Sequence, residues 1–121
     1  MKTGLVIEDN EDNMMLITRL LKKAGYDALW APTGGQGLEM AQTDQPDFIL
    51  LDIQLPDIDG TEVLHRLRSE EVGKDYPVIV VTSYAMAGDR EKFLAAGANA
   101  YLEKPIDPLR VTDQIRNVVG Q

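Results

Sequence analysis

An α/β fold, one doubly wound parallel sheet of five strands with five helices on both faces, is predicted by three features of the sequence. Short apolar runs alternate with segments of helical length. The runs are near-continuously apolar, which marks strands buried on both faces, as in a parallel sheet covered by helices. The alternation occurs five times, and parallel neighbours need crossover helices.

The elements follow in order. "GLVIE" (4–8) reads as the first strand. Leu16, Ile17, Leu20, Leu21 and Ala24 then recur at helical spacing, and Gly25 follows where a left-handed C-terminal cap sits. "YDALW" (26–30) is a second strand, and 34–43 is a weaker helical segment with three glycines nearby. "DFILL" (47–51) is the third strand, and "TEVLHRL" belongs to the third helix. "PVIVV" (77–81) is the fourth; Phe93 and Leu94 followed by "AAGA" predict a helix closed near Gly97. "NAYLE" (99–103) is the fifth, and Leu109, Val111, Ile115, Val118 and Val119 predict a last helix running to the end.

The 121 residues suit one domain, expected to span 1–121, because domains most often hold about 100–150 residues. With 44% hydrophobic and 26% charged residues the composition is that of a globular protein, not a disordered one. A formal net charge of -8 argues against nucleic acid and anionic membranes, whose binding rests on clustered Lys and Arg. "MKTGLVIEDN" leaves no room for a signal peptide, and "PVIVV" falls far short of the roughly 20 apolar residues of a bilayer span. A cytoplasmic location without membrane insertion is expected. The absence of Cys excludes disulfides and thiolate chemistry.

In open α/β sheets the functional crevice lies at the carboxyl ends of the strands. Glu8 and Asp9 stand at the first such end, Asp52 at the third, Thr82 and Ser83 at the fourth, Lys104 and Pro105 at the fifth. Taken singly, an acid after a strand is commonly a helix cap or a solvated loop residue. Three acids on one rim are harder to dismiss. At about 5 Å and an effective dielectric near 20, each carboxylate pair repels by roughly 3 kcal/mol, so the trio approaches 10 kcal/mol. That rivals a domain's whole stability of about 5–15 kcal/mol. Something cationic must compensate, or a carboxyl must stay protonated: Lys104 supplies one charge, and hard oxygen ligands that leave room for water suit a dication such as Mg2+. A metal, a Lys and a hydroxyl also make a receptacle for a phosphoryl group, with Asp52 available as its nucleophile.

Glu8-Asp9, Asp52 at the end of "FILLD", "LPDIDG" downstream, Thr82 after "PVIVV" and the "KP" at Lys104–Pro105 together resemble the receiver domain of two-component response regulators. The likeness runs from about Gly4 to the final helix. It implies a flavodoxin-like strand order of 2-1-3-4-5. It also implies that Asp52 accepts a phosphoryl group from a phosphohistidine on a sensor histidine kinase or a histidine phosphotransfer protein. Asp9 and Asp52 would bind Mg2+ directly with the main-chain carbonyl of Gln54, and Glu8 through water. Lys104 would pair with a phosphoryl oxygen. Thr82 and Tyr101 would act as the switch pair, and Pro105 would follow a cis bond. Downstream output would run through the face of the fourth helix, fifth strand and fifth helix. Glu8 stands where many relatives carry Asp, and Ser83 where Ala is frequent; Gln54 and Tyr84 occupy positions that tune phosphoaspartate hydrolysis. The initial Met suggests a stand-alone receiver, and no effector domain follows the last helix, so output is expected by binding another protein or by onward phosphotransfer.

Other readings differ at particular residues. An aspartate-nucleophile phosphohydrolase typically has a second Asp where this chain has Gln54. A flavin binder on the same topology needs a hydroxyl- or Gly-rich first loop, whereas "EDNEDN" repels phosphate. A docking module that is never phosphorylated would have lost an acid or the Lys. The receiver fragment of a longer hybrid histidine kinase is a further alternative. His65 reads as a surface helix residue, and Met14 and Met15 as packing residues.

Overall fold

In a computed structural model of the chain, residues 2–69, 75–83, 86–104 and 107–119 are described. Five strands, β1 (Thr3–Ile7), β2 (Asp27–Ala31), β3 (Phe48–Asp52), β4 (Val78–Thr82) and β5 (Ala100–Glu103), alternate with five helices. These are α1 (Glu11–Lys23), α2 (Gly34–Thr43), α3 (Gly60–Ser69), α4 (Asp89–Ala95) and α5 (Pro108–Val119). The strands pair in parallel in the order β2-β1-β3-β4-β5. This is the flavodoxin-like order that the receiver resemblance implies.

The period-2 geometry of a strand divides the apolar runs between two cores. Leu5, Ile7, Ile49, Leu51, Val78 and Val80 turn toward α2, α3 and α4, where Ala41, Val63, Leu64, Leu67 and Phe93 meet them. Val6, Phe48, Leu50, Ile79 and Val81 turn the other way, onto Met14, Ile17 and Leu21 of α1 and Val111 and Ile115 of α5. Every residue of β3 and β4 is buried, as the unbroken apolar runs predict.

Helix ends obey local rules. Asn10 caps α1 by accepting from the Asn13 N–H, and Gly25 closes it at φ 94° while Tyr26 N–H donates back to Leu21 O. Gly97 ends α4 in the same left-handed conformation, with Ala98 N–H donating to Phe93 O.

The strands depart by a residue from the sequence reading. β1 stops at Ile7, one residue before Glu8, whereas β3 and β4 include Asp52 and Thr82. The ladder continues through those polar residues because Asp52 sits opposite Val81 and Thr82 opposite Glu103. The buried stripe of α1 is likewise rotated. Met14, Ile17 and Leu21 are buried, while Leu16 and Met15 face solvent, so the expectation that Met15 is a packing residue is corrected. One residue along a helix is a turn of about 100°, enough to carry Met15 off the face that buries Met14. Leu109, placed on the apolar face of the last helix, is also exposed; Val111 and Ile115 bury the stripe. Among the described residues no helix is long and apolar enough to cross a membrane.

Candidate functional site

Glu8 begins the loop between β1 and α1, and the backbone fixes it before its side chain makes any contact. Its N–H donates to Ala31 O at 3.0 Å, and its carbonyl oxygen accepts from the Trp30 indole Nε1 at 2.6 Å. Its carboxylate lies at the carboxyl edge of the sheet, close to that of Asp52. There Asp52, the last residue of β3, is 5% exposed, and Glu8 is 2% exposed. Asp9 is next in the loop and faces solvent. One carboxylate oxygen from each of Glu8, Asp9 and Asp52 lies within 4.8 Å of the others.

Lys104 enters this cluster from the end of β5. Its Nζ donates to Glu8 Oε1 at 2.6 Å and to Asp52 Oδ2 at 3.4 Å. Its main-chain N–H donates to Thr82 O at 2.8 Å, so the lysine and the buried threonine are tied through the backbone at neighbouring strand ends. The second oxygens are also engaged. Glu8 Oε2 accepts from Asn10 N at 3.2 Å, and Asp52 Oδ1 accepts from Gln54 N at 3.1 Å. Burial, followed by the adjoining Asp52 carboxyl, pushes Glu8 above the usual carboxylate range, and Lys104 pulls in the opposite direction.

The donor set fits a hard dication. Three carboxylates converge on one point, and the exposed Asp9 and Gln54 leave the outer side open to the waters that Mg2+ retains. A single lysine opposite two buried acids leaves negative charge that an added cation neutralises.

The structure thus gathers Glu8, Asp9, Asp52, Thr82 and Lys104 at one edge, with Gln54 in the adjoining loop. Tyr101 lies behind them, buried and stacked on Phe93 at 5.8 Å between ring centroids. Tyr84 and Pro105, named from the sequence, lie outside the described residues. Ser83 and His65 are exposed, and His65 stands on the outer side of α3 beside a shallow recess lined by Asp59, Thr61 and Glu62.

Two residues that shape the site are not evident from the sequence. Trp30 looks like an ordinary strand aromatic; its place at the carboxyl end of an edge strand is the only hint of its bond to Glu8. Asp57, in the loop after Asp52, accepts from Gly34 N at 2.8 Å and Gly35 N at 2.9 Å, spanning the start of α2 with both oxygens. Those two bonds, Gly35's first, hold its carboxyl below the usual range. The base of the same loop is closed by Gly60 N–H donating to Ile53 O at 2.9 Å.

Fold and site together define a class: a small signalling switch activated by phosphorylation. The chain belongs to the response regulator receiver domain family, whose model matches residues 5–116. It is 40% identical over 119 residues to the polar-differentiation response regulator DivK of Brucella ovis, covering 98% of this chain and 97% of that protein. The solved receiver domain of a sensor histidine kinase from Pseudomonas aeruginosa superposes with a TM-score of 0.90 at 33% identity, covering 99% of this chain and 98% of that one. That structure has a magnesium ion coordinated in its active site cleft. A response regulator from Chloroflexus aurantiacus matches at TM-score 0.93 and 28% identity, over 99% of this chain and 98% of its own. The phosphohydrolase reading is not favoured.

Proposed function

We propose that residues 1–121 form one receiver domain in which Asp52 accepts a phosphoryl group from a sensor histidine kinase or a histidine phosphotransfer protein. One observation carries the reading: buried carboxylates from two neighbouring strand ends share a single lysine within a cluster only 4.8 Å across. Asp9, Asp52 and the Gln54 carbonyl would hold Mg2+ directly, with Glu8 acting through water; a dication held there would supply charge neutralisation for the phosphoryl oxygens.

The chain's own residues do the rest. Gln54 N–H holds one Asp52 oxygen, which leaves the carboxylate oriented for attack on phosphorus. The new O–P bond forms as the donor's N–P bond breaks, and the freed imidazole takes its proton from water. Lys104 leaves its close pairing with Glu8 to meet the incoming phosphoryl oxygens as a point charge. Thr82 then offers its hydroxyl to the same group, and Tyr101 follows in the switch. The α4, β5 and α5 face carries the signal to a downstream protein, or the phosphoryl group passes onward. No activity beyond this self-phosphotransfer and its hydrolysis is proposed. The cytoplasmic location expected from the sequence belongs to the same proposal.

The test is to incubate wild type and Asp52→Asn with a phosphodonor and Mg2+, and to follow incorporation by intact mass. Wild type should gain one phosphoryl group and the variant none. Full labelling of the variant would sink the assignment, and multiple turnovers on small phosphate esters would favour a hydrolase.

A further inference from the structure

Trp30, the chain's only tryptophan, is the penultimate residue of β2 at the edge of the sheet, and it is 39% exposed. A half-exposed indole can satisfy its N–H with water, yet this one donates to the Glu8 carbonyl oxygen at 2.6 Å. The pairing of β1 with β2 ends at Ile7 opposite Ala31, so Glu8 is the first residue past that ladder. Two consecutive residues of β2 nevertheless hold both of its main-chain polar groups: Ala31 O takes the N–H, and Trp30 Nε1–H takes the carbonyl. Beside the indole lies a groove of about 330 Å³ that Trp30 lines together with Met14, Met15 and Thr18 of α1. The bond to Glu8 is thus the contact that ties the indole to the acidic loop.

The peptide unit clamped by Trp30 is the one that joins Glu8 to Asp9. Fixing it sets the direction in which both acids leave the backbone, toward the cluster they share with Asp52. Groups that orient metal ligands without touching the metal commonly govern affinity by about tenfold or more.

We propose that Trp30 is a positioning residue for divalent-cation binding by the acidic loop, and through it for phosphoryl acceptance at Asp52. The inference rests on the Mg2+ reading given above. Trp30→Phe keeps an aromatic ring at this strand position and removes the donor. Calorimetric titration with MgCl2 should show binding weakened roughly tenfold relative to wild type. The Mg2+ concentration for half-maximal phosphorylation should rise by the same factor, while the rate at saturating Mg2+ stays within about twofold, because Trp30 touches neither Asp52 nor the donor. In the wild-type protein, the indole N–H resonance of Trp30 should shift along the Mg2+ titration with the calorimetric midpoint, a readout that does not depend on the variant folding. Equal affinity in the two proteins, or an indole resonance that ignores Mg2+, overturns the role of Trp30 and leaves the metal reading intact. Wild type that binds no Mg2+ overturns both.

Discussion

Two buried acids and one lysine form a small electrostatic problem at the scale of single residues. Lys104 lies closer to Glu8 than to Asp52, so Asp52, the proposed phosphoryl acceptor, is the less firmly paired of the two. This leaves Asp52 available to incoming chemistry while Glu8 absorbs most of the lysine's attraction. Asp57 presents the opposite case, an exposed carboxylate whose value lies in two main-chain donors at the start of α2. Its native carboxyl titrates below the ordinary value of 3.8, so its stabilising contribution is complete above that pH and is lost as pH falls through the lower native value. Asp57→Asn should melt a few degrees below wild type at neutral pH, and the gap should close as the pH falls through the lowered native value of Asp57. Melting curves across that range check it; a gap of constant size would mean that the charge plays no part. Glu8, Asp9, Asp52 and Lys104 were legible in the sequence because strand-end position is written in the apolar runs before them. Asp57 and Trp30 were not, since each acts on an element that only the folded sheet brings near.

At the scale of elements, α2 shows why a weak helical pattern can still mark a fixed helix. Gly34, Gly35 and Gly37 lower its intrinsic propensity, and the sequence reading of 34–43 is correspondingly faint. Thr33 offsets part of this by capping the helix through the Gln36 N–H. The glycine at 37 answers a packing demand instead. A Cβ there would stand 2.5 Å from Ile7 Cδ1 and 2.7 Å from Cγ1, so any larger residue at 37 would force the buried Ile7 side chain to shift. Gly37→Ala should gain up to about 1 kcal/mol in helix propensity and lose roughly 1–3 kcal/mol to overpacking, a net loss near 1 kcal/mol. Urea denaturation should show the midpoint falling. A raised midpoint would mean that α2 can withdraw from β1 without cost. Ile7 immediately precedes Glu8, so strain at this contact falls on the strand that delivers the acidic loop. Periodicity could not have revealed this, because it records which residues are apolar and not how closely two elements approach.

The whole molecule places its chemistry where the strand order reverses. β1 and β3 lie side by side, their following helices cover opposite faces, and the acids of both strands open into the crevice between. Alternation of strands and helices made the sheet legible, but not the order of its strands, which no local pattern encodes and which came with the family resemblance. The same order sets β4 and β5 beside the site, so the backbone bond from Lys104 to Thr82 links the edge of the acidic cluster to the strand that carries Tyr101. Tyr101 is buried, its ring stacks on Phe93 of α4, and its hydroxyl has no hydrogen-bond partner among the described residues. An unsatisfied buried hydroxyl costs about 1–3 kcal/mol, enough to bias a two-state equilibrium by roughly tenfold. The inward position of Tyr101 is thus held by packing against a polar penalty, and any state that returns the phenol to water recovers that penalty. Tyr101→Phe keeps the stack and removes the penalty. It should stabilise the unphosphorylated protein by about 1 kcal/mol, read as a higher urea midpoint. By the same amount it should disfavour the phosphorylated conformation, so amide shifts in α4, β5 and α5 on phosphorylation should shrink while the chemistry at Asp52 proceeds at an unchanged rate. A variant less stable than wild type would show that the hydroxyl stabilises the inward state, and the bias assigned to Tyr101 would then be wrong.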